Sequence, residues 1–253
     1  MENNPEEGTF WEHLDVFRRA IIRILIVVGA VASAFFCFKE FLFEGVIFAP
    51  TREDFLIFRL LQSEEFAPVK IINTKLSAQL FIHLSTSFYF ALIVCIPYIL
   101  GEIWFFLKPA LYESEKELTF KALFFMTLLF YSGVLTSYFL IFPLSVNFLA
   151  NYQVADFVDN LTDLDSYIDT MTSLTLSLGI VFELPVLAHF LSKIGILSYS
   201  FMSGHRKHAF VAVLFLAAVI TPSTDVFTML LTSLPLQLVY ELSVAVVKRN
   251  TTS

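Results

Sequence analysis

Three groups of acidic residues could do chemistry in this chain. The first is a single residue. Glu183 lies inside the apolar run Met171–Leu191, which is long enough to cross a membrane as a helix. A carboxylate at that depth costs roughly 3 kcal/mol or more unless it is protonated, paired or wetted. Pro185, two residues on, removes a backbone donor and loosens the helix there. An acid beside a helix break marks an intramembrane polar site, although a protonated Glu hydrogen-bonded for packing would look the same. The second group is Glu12 with Asp15, and the third is Glu113, Glu115 and Glu117. Both lie just outside apolar segments, where carboxylates can hold guanidinium groups through two parallel hydrogen bonds. The competing readings are local: Glu115 as a helix-start residue favoured by the macrodipole, and Asp15 as an i,i+4 partner of Arg19.

The elements that must position these acids are transmembrane helices. Of the 253 residues 57% are hydrophobic and 15% charged, mean hydropathy is +0.74, and Phe alone supplies 30. Soluble domains carry a charged fraction nearer 25%. The fold class expected is all-α: an integral membrane bundle of six transmembrane helices in a single domain, 1–253. The spans fall at about 20–38, 76–100, 122–150, 171–191, 209–220 and 226–247. The fifth is short, about 18 Å of rise against a hydrocarbon core of about 30 Å. The sixth is kinked at Pro235 and carries Glu241. The bilayer should thin along that edge.

Interfacial amphipathic helices complete the picture. Residues 1–19 place Phe10, Leu14, Phe17 and Ile21 on one stripe, with a capping box at Thr9 and Glu12. This reads as a surface-lying helix that turns into the first span, where Arg23 snorkels. Residues 54–61, between Pro50 and Pro68, read as a short interfacial helix. Residues 151–170 hold five Asp and no Lys or Arg, over an apolar stripe that lies on the membrane surface or caps the bundle. Ser114 and Glu117 start a helix near Glu115. The charged loop that contains this start holds Glu102, Lys108, Glu113, Glu115, Lys116, Glu117 and Lys121.

Six spans put both termini on one side. That side holds eleven Lys and Arg, against five on the other (Lys39, Arg52, Arg59, Lys70 and Lys75), so both termini are expected to be cytoplasmic. The first twelve residues contain no Lys or Arg, so the first apolar segment is expected to be retained rather than cleaved as a signal peptide. A net charge of −7 divided between two sides of a membrane gives no indication of a nucleic-acid partner. Cys37 and Cys95 differ too much in depth for a bridge. No Cys/His cluster has metal spacing, no glycine loop suits a phosphate, and small-xxx-small packing is scarce with only 8 Gly. No catalytic constellation, metal site or cofactor is expected.

Several motifs, in order, resemble the TatC family, the multi-spanning receptor of the twin-arginine protein translocase. They are Phe10-Trp11-Glu12-His13-Leu14-Asp15 followed by Arg18; Ile103 to Tyr112 followed by Glu113-Ser114-Glu115-Lys116; Phe142-Pro143-Leu144; Phe182-Glu183-Leu184-Pro185; and Thr221-Pro222 with Asp225. The resemblance implies a glove-shaped bundle of six spans in the cytoplasmic (inner) membrane and an oligomeric complex with single-span partners of the TatA and TatB type. It implies binding of signal peptides that carry two consecutive arginines, and export of folded cargo driven by the proton-motive force. Glu115 carries over as part of the arginine site, and Glu113 stands beside it. Thr221, Pro222, Asp225 and Met229 fall where a partner helix would contact the bundle, Met229 replacing a Gln of some relatives. One departure matters. Val16 stands where the family has a Glu, so the second recognition carboxylate comes from Asp15, Glu12 or elsewhere, with Asp15 ranked first. The alternative is a proton-coupled secondary transporter using Glu183, but such proteins are built from inverted repeats and none is visible here.

Overall fold

A computed structural model describes residues 5–61, 69–107, 116–153, 155, 160–222 and 225–251. The chain is helical, as expected. Among the described residues five helices are long and apolar enough to cross a membrane: Leu14–Cys37, Ala78–Ile103, Leu123–Asn151, Leu164–Lys193 and Val226–Arg249. A shorter helix, Arg206–Ile220, occupies the place of the expected fifth span. The chain divides into two compact units, one of residues 1–39 and 83–127, the other of 40–82 and 128–253.

The first unit is built on α1 (Pro5–Cys37) and the greater part of α3 (Ala78–Leu107). No Pro follows Pro5 in α1, and the helix runs unbroken past the point where a surface helix was expected to turn. Thr9 and Glu12 therefore lie inside the helix rather than at its start. Val28, Ala91 and Cys95 form the buried contact, flanked by Ile24, Val31, Phe35 and Ile99. Phe36 stacks on His83 at 4.1 Å, Phe35 meets Phe90 at 6.3 Å and Phe17 meets Phe106 at 5.4 Å. Along these pairs one number rises as the other falls, so α1 and α3 run antiparallel. Helix α3 extends to Leu107, seven residues beyond the expected end, with Pro97 inside it.

The second unit begins with a π-helical turn, Phe41–Ile47, and a 3₁₀ turn, Ala49–Thr51. Carbonyls left over at such a junction need donors. The hydroxyls of Tyr138 and Tyr167 supply them, donating to the Val46 and Ile47 carbonyls at 2.7 Å each. A short helix, α2 (Leu56–Leu61), falls where an interfacial helix was expected, and with Phe55 it packs on Tyr138, Phe139 and Leu144. The third apolar helix has three parts: α4 (Lys116–Thr136), a π turn (Ser137–Ile141) and α5 (Phe142–Asn151). The cause is Pro143, which cannot donate to the ladder and crowds the carbonyl one turn before it.

Two short strands, β1 (Ile71–Ile72) and β2 (Thr162–Asp163), pair in parallel. Beside them Thr74 hydrogen-bonds to Asp163, and Lys75 pairs with Asp165 at 2.7 Å. Asp163 caps α6 (Leu164–Val181) through the Asp165 amide. The acidic stretch thus does not lie flat throughout: its last seven residues are the opening turns of α6, where Tyr167 and Ile168 are buried. Carboxylates suit a helix start, which is why the helix begins earlier than hydropathy indicated.

Helix α6 ends at Phe182-Glu183, and α7 (Leu184–Lys193) restarts with Pro185 in its first turn. Gly195, at φ 78°, closes α7. There follow α8 (Tyr199–Gly204), α9 (Arg206–Ile220), which stops at Thr221-Pro222, and α10 (Val226–Thr251), which stays helical through Pro235. Ala188, Met202, Val244 and Val247 form the core between α7, α8 and α10.

Small-xxx-small packing is used at one crossing. Gly133 of α4 and Ser137 of the π turn face Thr175 and Gly179 of α6. A Cβ at Gly133 would stand 2.6 Å from the Leu178 carbonyl oxygen, and one at Gly179 would stand 2.7 Å from the Phe130 ring. The Ser137 and Thr175 hydroxyls are 3.4 Å apart. Gly133→Ala should therefore destabilise the purified protein by about 1–3 kcal/mol in thermal unfolding. Gly29→Ala, where nothing lies within 4 Å, should be neutral or slightly stabilising.

The strand pairing carries a pH dependence. The Thr74 hydroxyl, helped by the Asp165 amide, holds the Asp163 carboxyl below its ordinary 3.8. Hydrogen bonding to Asp165 raises Lys75 above its ordinary 10.5. The Asp163 contribution is complete above its ordinary value and is lost as pH falls through the lowered one; the Lys75 contribution is complete below 10.5 and is lost as pH rises through the raised one. Hydrogen-exchange protection of the Thr162 amide, which donates to the Lys70 carbonyl, should be flat between those limits and fall outside them.

Candidate functional site

Asp15 lies on α1 with its side chain exposed. Glu12 lies on the same helix, one turn earlier, within a stretch whose backbone alone is described. Glu113 and Glu115, with the helix start expected there, lie outside the described residues; the described part of α4 begins at Lys116.

Between these places the structure adds a carboxylate that sequence reasoning had left in a loop. Glu102 is on α3 and buried. Arg23 of α1 forks onto it, with Nε donating to Oε1 at 2.9 Å and Nη2 to Oε2 at 2.6 Å. The Tyr98 hydroxyl, one turn back on α3, also donates to Oε1 at 2.8 Å. Arg23 is thus a paired residue and does not merely snorkel. The legible signal was the apolar run Ile103–Leu107 after Glu102, which continues the helix, with Tyr98 four residues before it on the same face. A bidentate Arg–carboxylate pair that also satisfies a hydroxyl is the form in which charges survive partial burial. It ties the two helices together immediately before the chain reaches Lys108.

The second unit holds the intramembrane acid. Glu183 caps the break between α6 and α7, where its carbonyl accepts from the Val186 and Leu187 amides at 3.1 Å. Both carboxyl oxygens are buried, and neither has a hydrogen-bond partner among the described residues. The hydroxyls of Ser145, Thr228 and Thr232 and the side-chain oxygen of Gln237 share that condition. Sequence reasoning missed these because a lone Ser or Thr in an apolar helix ordinarily bonds back to the preceding turn, as Thr172 and Ser243 do here.

The four residues around the α9–α10 turn have plain structural duties. Thr221 ends α9, its amide donating to the Ala217 carbonyl at 3.0 Å. Pro222 is exposed and cannot continue the helix. Asp225 caps α10, Oδ1 accepting from the Thr228 amide at 2.6 Å, while Oδ2 is buried without a partner among the described residues. Met229 follows one turn later, half-buried. No group of three or more His, Cys, Asp or Glu among the described residues could hold a metal ion.

Long apolar helices, with a proline-restarted helix at a buried acid, define a multi-span helical membrane protein. Residues 12–235 match the family model for the Sec-independent protein translocase protein, TatC. The TatC protein of Blattabacterium sp. subsp. Periplaneta americana (strain BPLAN) is 32% identical over 257 residues, covering 96% of each chain. That of Haemophilus influenzae is 31% identical, covering 98% of this chain and 92% of the other. A crystal structure described as the twin arginine translocase receptor TatC superposes with a TM-score of 0.74 at 30% identity, covering 94% of this chain and 99% of that one. The chain belongs to the TatC family of Sec-independent protein translocase components.

Glu183→Gln should leave the fold intact, within about 1 kcal/mol in thermal unfolding, because a carboxamide is nearly isosteric with a neutral carboxyl. A large loss of stability would mean that the residue is ionised and paired.

Proposed function

We propose that this protein is the signal-peptide receptor and core subunit of a twin-arginine translocase, exporting folded proteins across the cytoplasmic membrane with the proton-motive force. The observation that carries this reading is the likeness, over 94% of the chain, to a crystal structure of the twin arginine translocase receptor. The residues proposed to grip the guanidinium pair are Glu115 and Glu113, with a second carboxylate from α1, Glu12 or Asp15. Two forked Arg–carboxylate pairs at a membrane interface hold more strongly than exposed ion pairs, yet weaken with salt.

Six crossings are proposed, with α9 as the fifth. Its 15 residues rise only about 22 Å, so lipid must thin around it. Both termini are then cytoplasmic, consistent with the excess of Lys and Arg on that side. Single-span partners of the TatA and TatB type are proposed to dock near Thr221, Pro222, Asp225 and Met229 in an oligomeric complex. Glu183, whose buried oxygens lack partners among the described residues, is proposed to steer an inserting peptide or partner helix. The transporter alternative drew on Glu183 alone, and membership of a translocase family replaces it.

With its single-span partners, the protein should export a folded reporter only when the signal carries Arg-Arg rather than Lys-Lys; equal export of both overturns the receptor reading. Glu115→Ala should lower photocrosslinking to a twin-arginine peptide at least about tenfold with the protein still folded. Undiminished crosslinking removes Glu115 from the site.

A further inference from the structure

Helix α9 carries cations on two faces, and only one face is answered by another side chain. Take about 100° per residue, with Lys207 at zero. The buried residues Val213, Ala217 and Ile220 then centre near 250°. Arg206, near 260°, turns with them and pairs with Glu241 of α10 at 3.0 Å. The opposite side is apolar and uncovered. Val211, Phe215 and Val219 fall near 40°, 80° and 120°, and they are 64%, 71% and 66% exposed. Lys207 stands at the edge of that stripe, and His208 stands at its centre, near 100°. Both are exposed, and neither has an ion-pair partner among the described residues.

Neighbouring elements repeat this mixture at the same end of the unit. The rings of Phe201, His205 and His208 form a row, with centroids 4.5 and 5.6 Å apart. Phe201 is itself exposed. Helix α7 closes with Lys193, followed by Ile194 and Ile196, all three exposed. From Leu184 to Ile220 the chain has no Asp or Glu, and the carboxylate that α10 brings there, Glu241, is engaged by Arg206.

The placement of Lys207 and His208 does nothing for the helix itself. Cations in a first turn oppose the macrodipole. Orientation in the membrane asks for Lys and Arg near the end of a span, not for cations on its lipid-facing side. A phosphate at the membrane surface offsets both charges. The stripe below it runs about 16 Å from His208 to Val219, close to one leaflet's share of a hydrocarbon core about 30 Å thick.

We propose that the start of α9 is a headgroup site for an anionic phospholipid. Lys207 and His208 hold the phosphate, Phe201 and His205 flank it, and Val211, Phe215 and Val219 line the acyl chains. The headgroup end lies opposite Thr221 and Pro222, and the site does not depend on the receptor reading.

The test titrates full-length protein in nonionic detergent with phosphatidylglycerol or phosphatidylcholine of the same acyl chains. Bound lipid is counted by native mass spectrometry and the thermal midpoint is followed alongside. Phosphatidylglycerol should bind at least about tenfold more tightly. Lys207→Gln with His208→Asn should cut that preference at least about fivefold. Lys70→Gln, an exposed cation at the other end of the unit, should leave it unchanged. Phe215→Ala should weaken both lipids and keep their ratio. Arg206→Gln should lower the thermal midpoint in both lipids alike and keep the ratio too. Equal binding of the two lipids overturns the proposal. So does a preference that survives the Lys207 and His208 changes, or one that Lys70→Gln removes as well, which would mean diffuse charge only. Competition by glycerophosphoglycerol, the headgroup without chains, as strong as that of the whole lipid also overturns it, since the stripe would then hold nothing.

Discussion

In hydrocarbon, a backbone amide or carbonyl without a partner costs several kcal/mol. That constraint explains both the helices of this protein and the few places where they falter. Two interruptions sit beside a proline, and side chains or a restarted ladder cover the exposed groups. Pro143 follows the π turn at Ser137–Ile141. Pro185 opens α7 after the break at Glu183. Tyr138 and Tyr167 donate their hydroxyls to the carbonyls at the end of the first π turn. Glu183 sits at such a fault, because a fault is where a polar side chain can be kept within an apolar slab.

The same rule sorts the charges. Several of those near the slab are paired by neighbours. Arg23 and Glu102 satisfy each other with Tyr98. Asp163 and Lys75 tie two loops at the ends of the second unit's helices. Arg206 pairs with Glu241 at 3.0 Å, and the Tyr240 hydroxyl donates to the Met202 carbonyl at 2.8 Å, fastening α8 and α9 to α10. Glu183 stands apart: both its oxygens are buried without a partner among the described residues. A group kept at that cost is the natural place to look for a role beyond packing.

Hydropathy and proline spacing made the main helices legible, including the break at Pro185 and the stop at Thr221-Pro222. Ends were less legible because they depend on partners distant in sequence. Helix α3 outlasts its expected end since Glu102, which looks like a loop residue, is neutralised by Arg23 from 79 positions away. Helix α6 starts early because Asp163 and Asp165 favour a helix N-terminus in a way hydropathy cannot register. The Gly133–Gly179 crossing was invisible because each motif is short and its partner lies on another helix. Glu183 and the helix break beside it were legible from residue type and the proline two positions on. The Arg23–Glu102 fork was not, since it joins two helices across 79 positions of sequence.

The length of α1 has a mechanical consequence. Thirty-three residues without a break make a rod about 50 Å long, some 20 Å more than the hydrocarbon slab is thick. Such a rod has no hinge at the water boundary to absorb a tug. A load applied to its N-terminal end passes along one continuous helix to the Arg23–Glu102 fork and the packed seam beyond it.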